Sequence, residues 1–330
     1  MMRVVTLPGS LDDRTLDALA EDLGGWPPTE GLLFDARTAQ WASPYGLTAL
    51  LTLGQAIGEA KLPAPRFTIP ESDEVKSYWA RAGFFHAAAE CFELVGRVPK
   101  RNSDAPSDVL LPVTAVRAVE DVHHIVGRIQ ERAQRILQSE LNLEAKATMG
   151  FAMALSEGCQ NIIEHAGTGG WVAVQTYKWR KRLGRKVVVI AVSDAGIGFR
   201  RSLEATEARK VGERWGDGAA LELAVLHNVS RFRDPGRGQG LAGIRRYLER
   251  WQGKLSIRSG TARLALCPPG TTTCPWPSSS PFSRARSCRS SYPPRRPPRD
   301  DATNRAGWCG DSRPRSPARS GRGVRHRSSG

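Results

Sequence analysis

A chain of 330 residues, 40% of them hydrophobic, is long enough for two domains, each with its own core, and its formal net charge is +15. That charge is unevenly placed: residues 268–330 hold 13 Arg, 3 Asp and 11 Pro with no Lys, Leu, Ile or Met, while the remainder carries 35 basic against 30 acidic groups. The basic balance therefore describes the tail and argues against nucleic acid as a partner of the folded part.

The amino terminus lacks a charged segment followed by an apolar one, and no run of about 18 apolar residues occurs, so neither a secretion signal nor a membrane span is expected. Six Cys (91, 159, 267, 274, 288, 309) lie scattered without paired spacing, which gives no zinc site and fits a cytoplasmic compartment.

In chain order, residues 3–8 and 31–35 predict strands and 11–23 and 44–60 predict helices, the latter through Leu47, Leu50, Leu51 and Ala56. PRFTIPES predicts a strand, 72–83 a helix, and FFHAAAECFEL closes an α/β domain spanning 1–98. Residues 99–112 are polar and Pro-containing, as a linker is. From Val113 the pattern changes to long helices, AVRAVEDVHHIVGRIQERAQRILQ and LEAKATMGFAMALSEGCQNIIEHAG. GGWVAVQTYKWR, GRKVVVIAVSD, GKLSIRS and TARLALC then predict strands of a mostly antiparallel sheet with helices on one face, an α+β sandwich over 113–267.

Glu157, Asn161 and His165 recur every four residues and form one stripe of a helix, opposite Phe151, Leu155, Gly158 and Ile162. A carboxylate one turn from a carboxamide suits metal-assisted phosphoryl transfer: the amide oxygen ligates Mg²⁺ and the carboxylate orients or deprotonates the attacking oxygen. A solvated helix face gives the same stripe. Next, Asp194 ends a strand and is followed by Gly196 and Gly198, where a carboxylate can accept from an exocyclic amine and backbone can approach a ligand. Alone, DxGxG also describes a simple turn. Gly236, Gly238 and Gly240 then lead into an amphipathic helix whose free N–H groups suit phosphate oxygens.

Taken in order, EGCQN, DAGIG, GRGQGL and GTARLAL resemble the N-box, the two glycine boxes and the closing Gly-Thr element of the GHKL (HATPase, Bergerat-fold) family. The resemblance implies ATP and Mg²⁺ as cofactors. It also implies Glu157 as the base, Asn161 as the Mg²⁺ ligand and Asp194 as the adenine-reading carboxylate. Gly196 and Gly198 would then lie beside the nucleotide, Gly238 and Gly240 over the phosphates, and Thr261 in support of Asp194. Residues 199–237 fall where the family has its mobile ATP lid, with Arg233 or Arg237 as candidate phosphate contacts. His165 is expected to be structural or phosphate-adjacent.

His123-His124 has neither a following acid nor a following Pro, so it is expected on a helix surface and not as a phospho-acceptor. The small anti-sigma-factor serine/threonine kinases are the branch that fits. LLFDARTAQWASPYGLTALL is similar to the strand, loop and helix of STAS domains, the antagonists such kinases phosphorylate. Tyr45 stands where that family has its acceptor Ser, with Ser43 as a shifted candidate, so the domain is expected to be a degenerate STAS-like module.

The expected function is Mg²⁺-ATP-dependent phosphorylation of Ser or Thr on a partner, with a non-catalytic ATP-dependent binding switch as the alternative. The expected partners are a STAS-type anti-sigma antagonist or a sigma-factor-like protein, and a second copy of the chain in a homodimer. The tail 268–330 cannot offset its ordering entropy by burial and is expected to be disordered. Its composition suits a shifted reading frame of a GC-rich gene better than a basic arm.

Overall fold

The computed structural model describes residues 2–13, 15–23, 26–100, 109–128, 145–179, 185–230, 239–251 and 253–267. The tail, Arg233, Arg237 and Gly238 lie outside the described residues, as do the expectations attached to them.

Four strands, β1 (Met2–Thr6), β3 (Gly31–Asp35), β5 (Arg66–Thr68) and β6 (Glu93–Val95), form a parallel sheet in the order β1-β3-β5-β6. Parallel neighbours need crossovers. These contain α1 (Leu16–Asp22), α2 (Pro44–Glu59) and the pair α3 (Asp73–Arg81) and α4 (Phe84–Ala88). A small parallel pair, β2 (Ser10–Leu11) with β4 (Trp41–Ala42), sits beside them. Ser43 starts α2 as its N-cap, accepting from the Gly46 amide at 3.1 Å, with Pro44 at the first helical position. Phe67 lies within ring contact of Trp79, Phe84 and Phe92 and fixes the centre of this core.

The second unit is built on β7 (Val109–Val116), β8 (Gly170–Trp179) and β9 (Arg185–Asp194), antiparallel in that order. Residues 109–112, expected as linker, and 113–116, expected to start a helix, are strand. Pro112 hid it. Pro is tolerated there because β7 is an edge strand and its register with β8 shifts between Leu111 and Thr114. Helical residues 119–128 (α5) follow with His123 and His124 exposed, then α6 (Ala145–Asn161), which ends in a π-helical turn at Ile162–Ala166.

One face of the sheet holds Val172, Val174 and Val188 against Val122, Ile125, Phe151, Leu155 and Ile162. The alternate side chains, Trp171 and Ala173 with Val109 and Val113, enter the core of the first unit. Helices were expected on one face only; the other face is covered by α2 and α4 of the amino-terminal unit.

The expected single sheet is also divided. Among the described residues, β10 (Leu255–Ser259) and β11 (Ala262–Leu266) pair only with each other, as an antiparallel hairpin. The expected lid segment contains two helices, α7 (Gly198–Val211) and α8 (Asp217–Leu226), and α9 (Gln239–Arg250) returns the chain to the hairpin.

Candidate functional site

Helix α6 sorts its side chains as the sequence suggests. Phe151, Leu155 and Ile162 are buried with Cys159 against the sheet, whereas Gly158, expected on the same stripe, is half-buried and borders the cavity. Glu157, Asn161 and His165 line a cavity of about 1740 Å³, together with Asp194, Gly196, Gly198 and Gly240. Leu255–Gly260 of the hairpin form its far wall. Asn161 stands at the junction where the α-helix passes into the π turn, a local widening often found at functional sites.

Asp194 ends β9 opposite Gly170 of β8. Its Oδ1 accepts from the Gly196 amide at 2.9 Å, which folds the strand end into a tight turn. Gly196 is pressed against the π turn: a Cβ there would lie 2.4 Å from Ala166 Cα, and Ile197 N donates to the Ala166 carbonyl at 3.3 Å. Burial raises the Asp194 carboxyl above its ordinary value, the Gly196 amide offsets part of this, and the charge of Glu59 adds to it. By surface area Asp194 is nonetheless an exposed residue, and the cavity is what its carboxylate borders.

Gly240, in the first turn of α9, abuts Glu157: a Cβ at this position would fall 2.3 Å from Glu157 Oε2. A side chain at this position would displace the Glu157 carboxylate from where the helix N-terminus meets α6. The donor set fits a nucleotide with its metal: a carboxylate at a strand end, a carboxamide and a carboxylate on one helix stripe, and glycine backbone that a side chain would displace.

Thr261 is placed differently from the expectation. Its amide and hydroxyl donate to Asp217 Oδ2 at 3.0 and 2.9 Å, so it anchors the start of α8 and does not support Asp194. In the opposite sense, Ser259 Oγ accepts from the Phe199 amide at 3.0 Å and so caps the first turn of α7. The hairpin turn thus holds both lid helices. At the other end of α8, Arg245 of α9 donates to the Val225 and Leu226 carbonyls, each at 3.1 Å.

Sequence reasoning missed one whole wall. Asp12, Asp13, Trp41, Ser43, Tyr45 and Leu53 of the amino-terminal unit also line the cavity. One signal was present: α2 buries Leu47, Leu50 and Ile57, but also Gly46, Thr48 and Gly54, too wide a set for a helix covered on one side. Ser43 Oγ is occupied as the N-cap and lies 3.3 Å from the Leu11 carbonyl, and the residue is buried. Burial, aided by the charge of Asp13, pushes the Tyr45 phenol up to about 12.

Among the described residues, no helix is long and apolar enough to cross a membrane and no cluster of three or more His, Cys, Asp or Glu forms a metal site. Residues 147–276 match the family described as histidine kinase-, DNA gyrase B-, and HSP90-like ATPase. No curated protein and no solved structure gives a match to the chain. The matched span is a GHKL-type ATP-binding domain. Every residue singled out from α6, β9, the lid helices and the hairpin falls within it.

Proposed function

We propose that this chain is a regulatory protein kinase of the anti-sigma-factor type, transferring a phosphoryl group from Mg²⁺-ATP to a Ser or Thr hydroxyl of a partner protein. The observation that supports it is the convergence of Glu157, Asn161 and Asp194 on one cavity. Bound Mg²⁺-ATP supplies the phosphoryl group and the divalent charge that offsets its oxygens. Asp194 accepts from the exocyclic amine of the base and so selects adenine. Asn161 offers its side-chain oxygen to the metal. Glu157 takes the proton of the attacking hydroxyl, which requires it ionised and within reach of the acceptor. The amide-bearing turns at Gly196, Gly198 and Gly240 let backbone approach the nucleotide, the role also assigned to Gly238.

The parallel order β1-β3-β5-β6, with the capped helix α2 following β3, supports reading the amino-terminal unit as a STAS-like module. It is not a substrate in cis on this reading, because Ser43 Oγ is committed to capping and Tyr45 resists ionisation. The acceptor then belongs to another protein, a STAS-type antagonist or a sigma-factor-like partner, in the cytoplasm. A binding switch, with nucleotide stabilising a partner-gripping lid, is the second reading, favoured by the lid helices' attachment to the hairpin turn.

The two separate on Glu157. As a kinase, Glu157→Ala retains Mg²⁺-ATP binding and loses transfer of label from ATP to a STAS-type antagonist by about 10²-fold or more. Equal transfer by both proteins removes Glu157 from this role, and partner capture by the variant without transfer by either protein supports the switch.

A further inference from the structure

Asp194 is the last residue of β9, and among the described residues β9 is the edge of its sheet, paired on one side only, with β8. The two final register pairs are Trp171 with Ser193 and Gly170 with Asp194. Gly170 has no side chain with which to hold the strand end. The pair before it does the holding: Trp171 and Ser193 share the face turned to α2 of the amino-terminal unit.

Ser193 Oγ donates to Thr48 Oγ1 at 3.0 Å, and Thr48 Oγ1 donates onward to the Tyr45 carbonyl at 3.1 Å, so each hydroxyl proton has one acceptor. Thr48 is wholly buried. Two turns further along α2, Gln55 holds the β8 side. Its Oε1 accepts from Trp171 Nε1 at 2.9 Å, while Nε2 donates to the Gly169 carbonyl at 3.0 Å and to Glu59 Oε1 at 2.7 Å. Both amide protons are thus used, which fixes the way the carboxamide faces. Glu59, held by Gln55, lies near enough to Asp194 for its charge to raise that carboxyl.

We propose that Thr48 and Gln55 are positioning residues of the nucleotide site: α2, which lies outside the span matched to the ATPase family, braces the end of β9 where Asp194 meets the base, so the amino-terminal unit contributes to the selection of adenine. The inference rests on the reading of Asp194 as the adenine-binding carboxylate. A hydrogen bond to that carboxylate needs its heavy atoms within about 2.7–3.2 Å, a tolerance that an edge strand end held by one neighbour does not secure by itself. Glu157 and Asn161 stand on α6 and Gly240 on α9, away from these α2 contacts. Loss of the brace therefore falls on recognition of the base and spares the phosphate end.

The test uses the full chain and two nucleotides, Mg²⁺-ATP and the Mg²⁺ complex of inosine triphosphate, which carries an oxygen in place of the exocyclic amine. Wild type prefers ATP. In Thr48→Val, which leaves the Ser193 hydroxyl without its acceptor, affinity for Mg²⁺-ATP by calorimetric titration falls about three- to tenfold, the worth of one hydrogen bond, while that for the inosine nucleotide is unchanged. Gln55→Leu lowers the preference in the same direction, and Thr48→Ser, which keeps the hydroxyl, restores it. Ser193→Ala removes only the donor and lowers the preference likewise, so a misfolded valine variant does not close the test; combined with Thr48→Val it adds no further loss. A wild-type ratio of the two affinities in folded Thr48→Val, Gln55→Leu or Ser193→Ala overturns the brace, and so does an equal loss for both nucleotides, which marks a structural contact only. No preference for ATP in wild type, or a preference unaltered in Asp194→Ala, overturns the adenine reading itself and the brace with it.

Discussion

At Asp194 the demands of folding and of binding conflict. Burial holds its carboxyl above the ordinary value, with the Gly196 amide working against that shift and Glu59 with it. A carboxyl raised in the fold binds its proton more tightly there than in the unfolded chain. Its contribution to stability is thus present below the unfolded value of about 3.8 and lost as pH rises through the folded value. At neutral pH the charge is a cost of folding, retained where an amine has to be read. Asp194→Asn is accordingly expected to raise the unfolding midpoint at pH 7, by an amount that shrinks on acidification. It also weakens Mg²⁺-ATP binding about tenfold or more, the worth of a charged hydrogen bond. A midpoint scanned by calorimetry that falls at pH 7 contradicts the assignment of strain to this carboxylate. The positions of Glu157, Asn161 and Asp194 were legible in the sequence because each depends on local spacing within one helix or one strand end. Thr261 was not, because its partner Asp217 lies 44 residues away and no local pattern names it.

At the scale of elements, the approach of α6 to α9 depends on one missing side chain. A Cβ on Gly150 would lie 2.1 Å from Tyr247 Cε2 and 2.4 Å from Cδ2. That ring is backed by Trp251, with centroids 6.2 Å apart, so it has little room to yield. Helix propensity favours Ala over Gly by about 1 kcal/mol. Overpacking costs about 1–3 kcal/mol, and with the ring body as the obstacle the second effect wins. Gly150→Ala is expected to lower the urea midpoint, and Tyr247→Leu in the same chain to recover part of the loss. A Gly150→Ala protein more stable than wild type means that α9 can withdraw from α6 without penalty. The α6 stripe was legible from its period, but β7 was not: a Pro inside an eight-residue strand resembles a linker until the bulge that accommodates it is seen.

Across the whole molecule the three-stranded sheet belongs to two cores at once. Its strands alternate, so Val172 and Val174 face α6 while Trp171 and Ala173 face α2 and α4, and β7 divides in the same way between Leu110 and Leu111 on one side and Val109 and Val113 on the other. The run WVAV was continuous evidence of burial on both faces, because a strand with one wet face alternates apolar with polar. It was read as half-covered because the covering helix lies more than a hundred residues earlier, and long-range docking leaves no mark in local periodicity. The shared sheet has a thermodynamic consequence. Neither unit can unfold without uncovering apolar surface of the other, so residues 2–267 are expected to melt in a single transition, with calorimetric and van't Hoff enthalpies in agreement. A chain beginning at residue 109 would expose Val109, Val113, Trp171 and Ala173 to water, together with the unpaired Ser193 hydroxyl. At roughly 1.5–3 kcal/mol for each large apolar side chain uncovered, that loss is comparable to the whole stability of an ordinary domain, and such a fragment should aggregate or melt well below the intact protein. Two resolved transitions in the intact chain, the second matching a soluble 109–267 fragment, would show that the units are independent domains merely in contact.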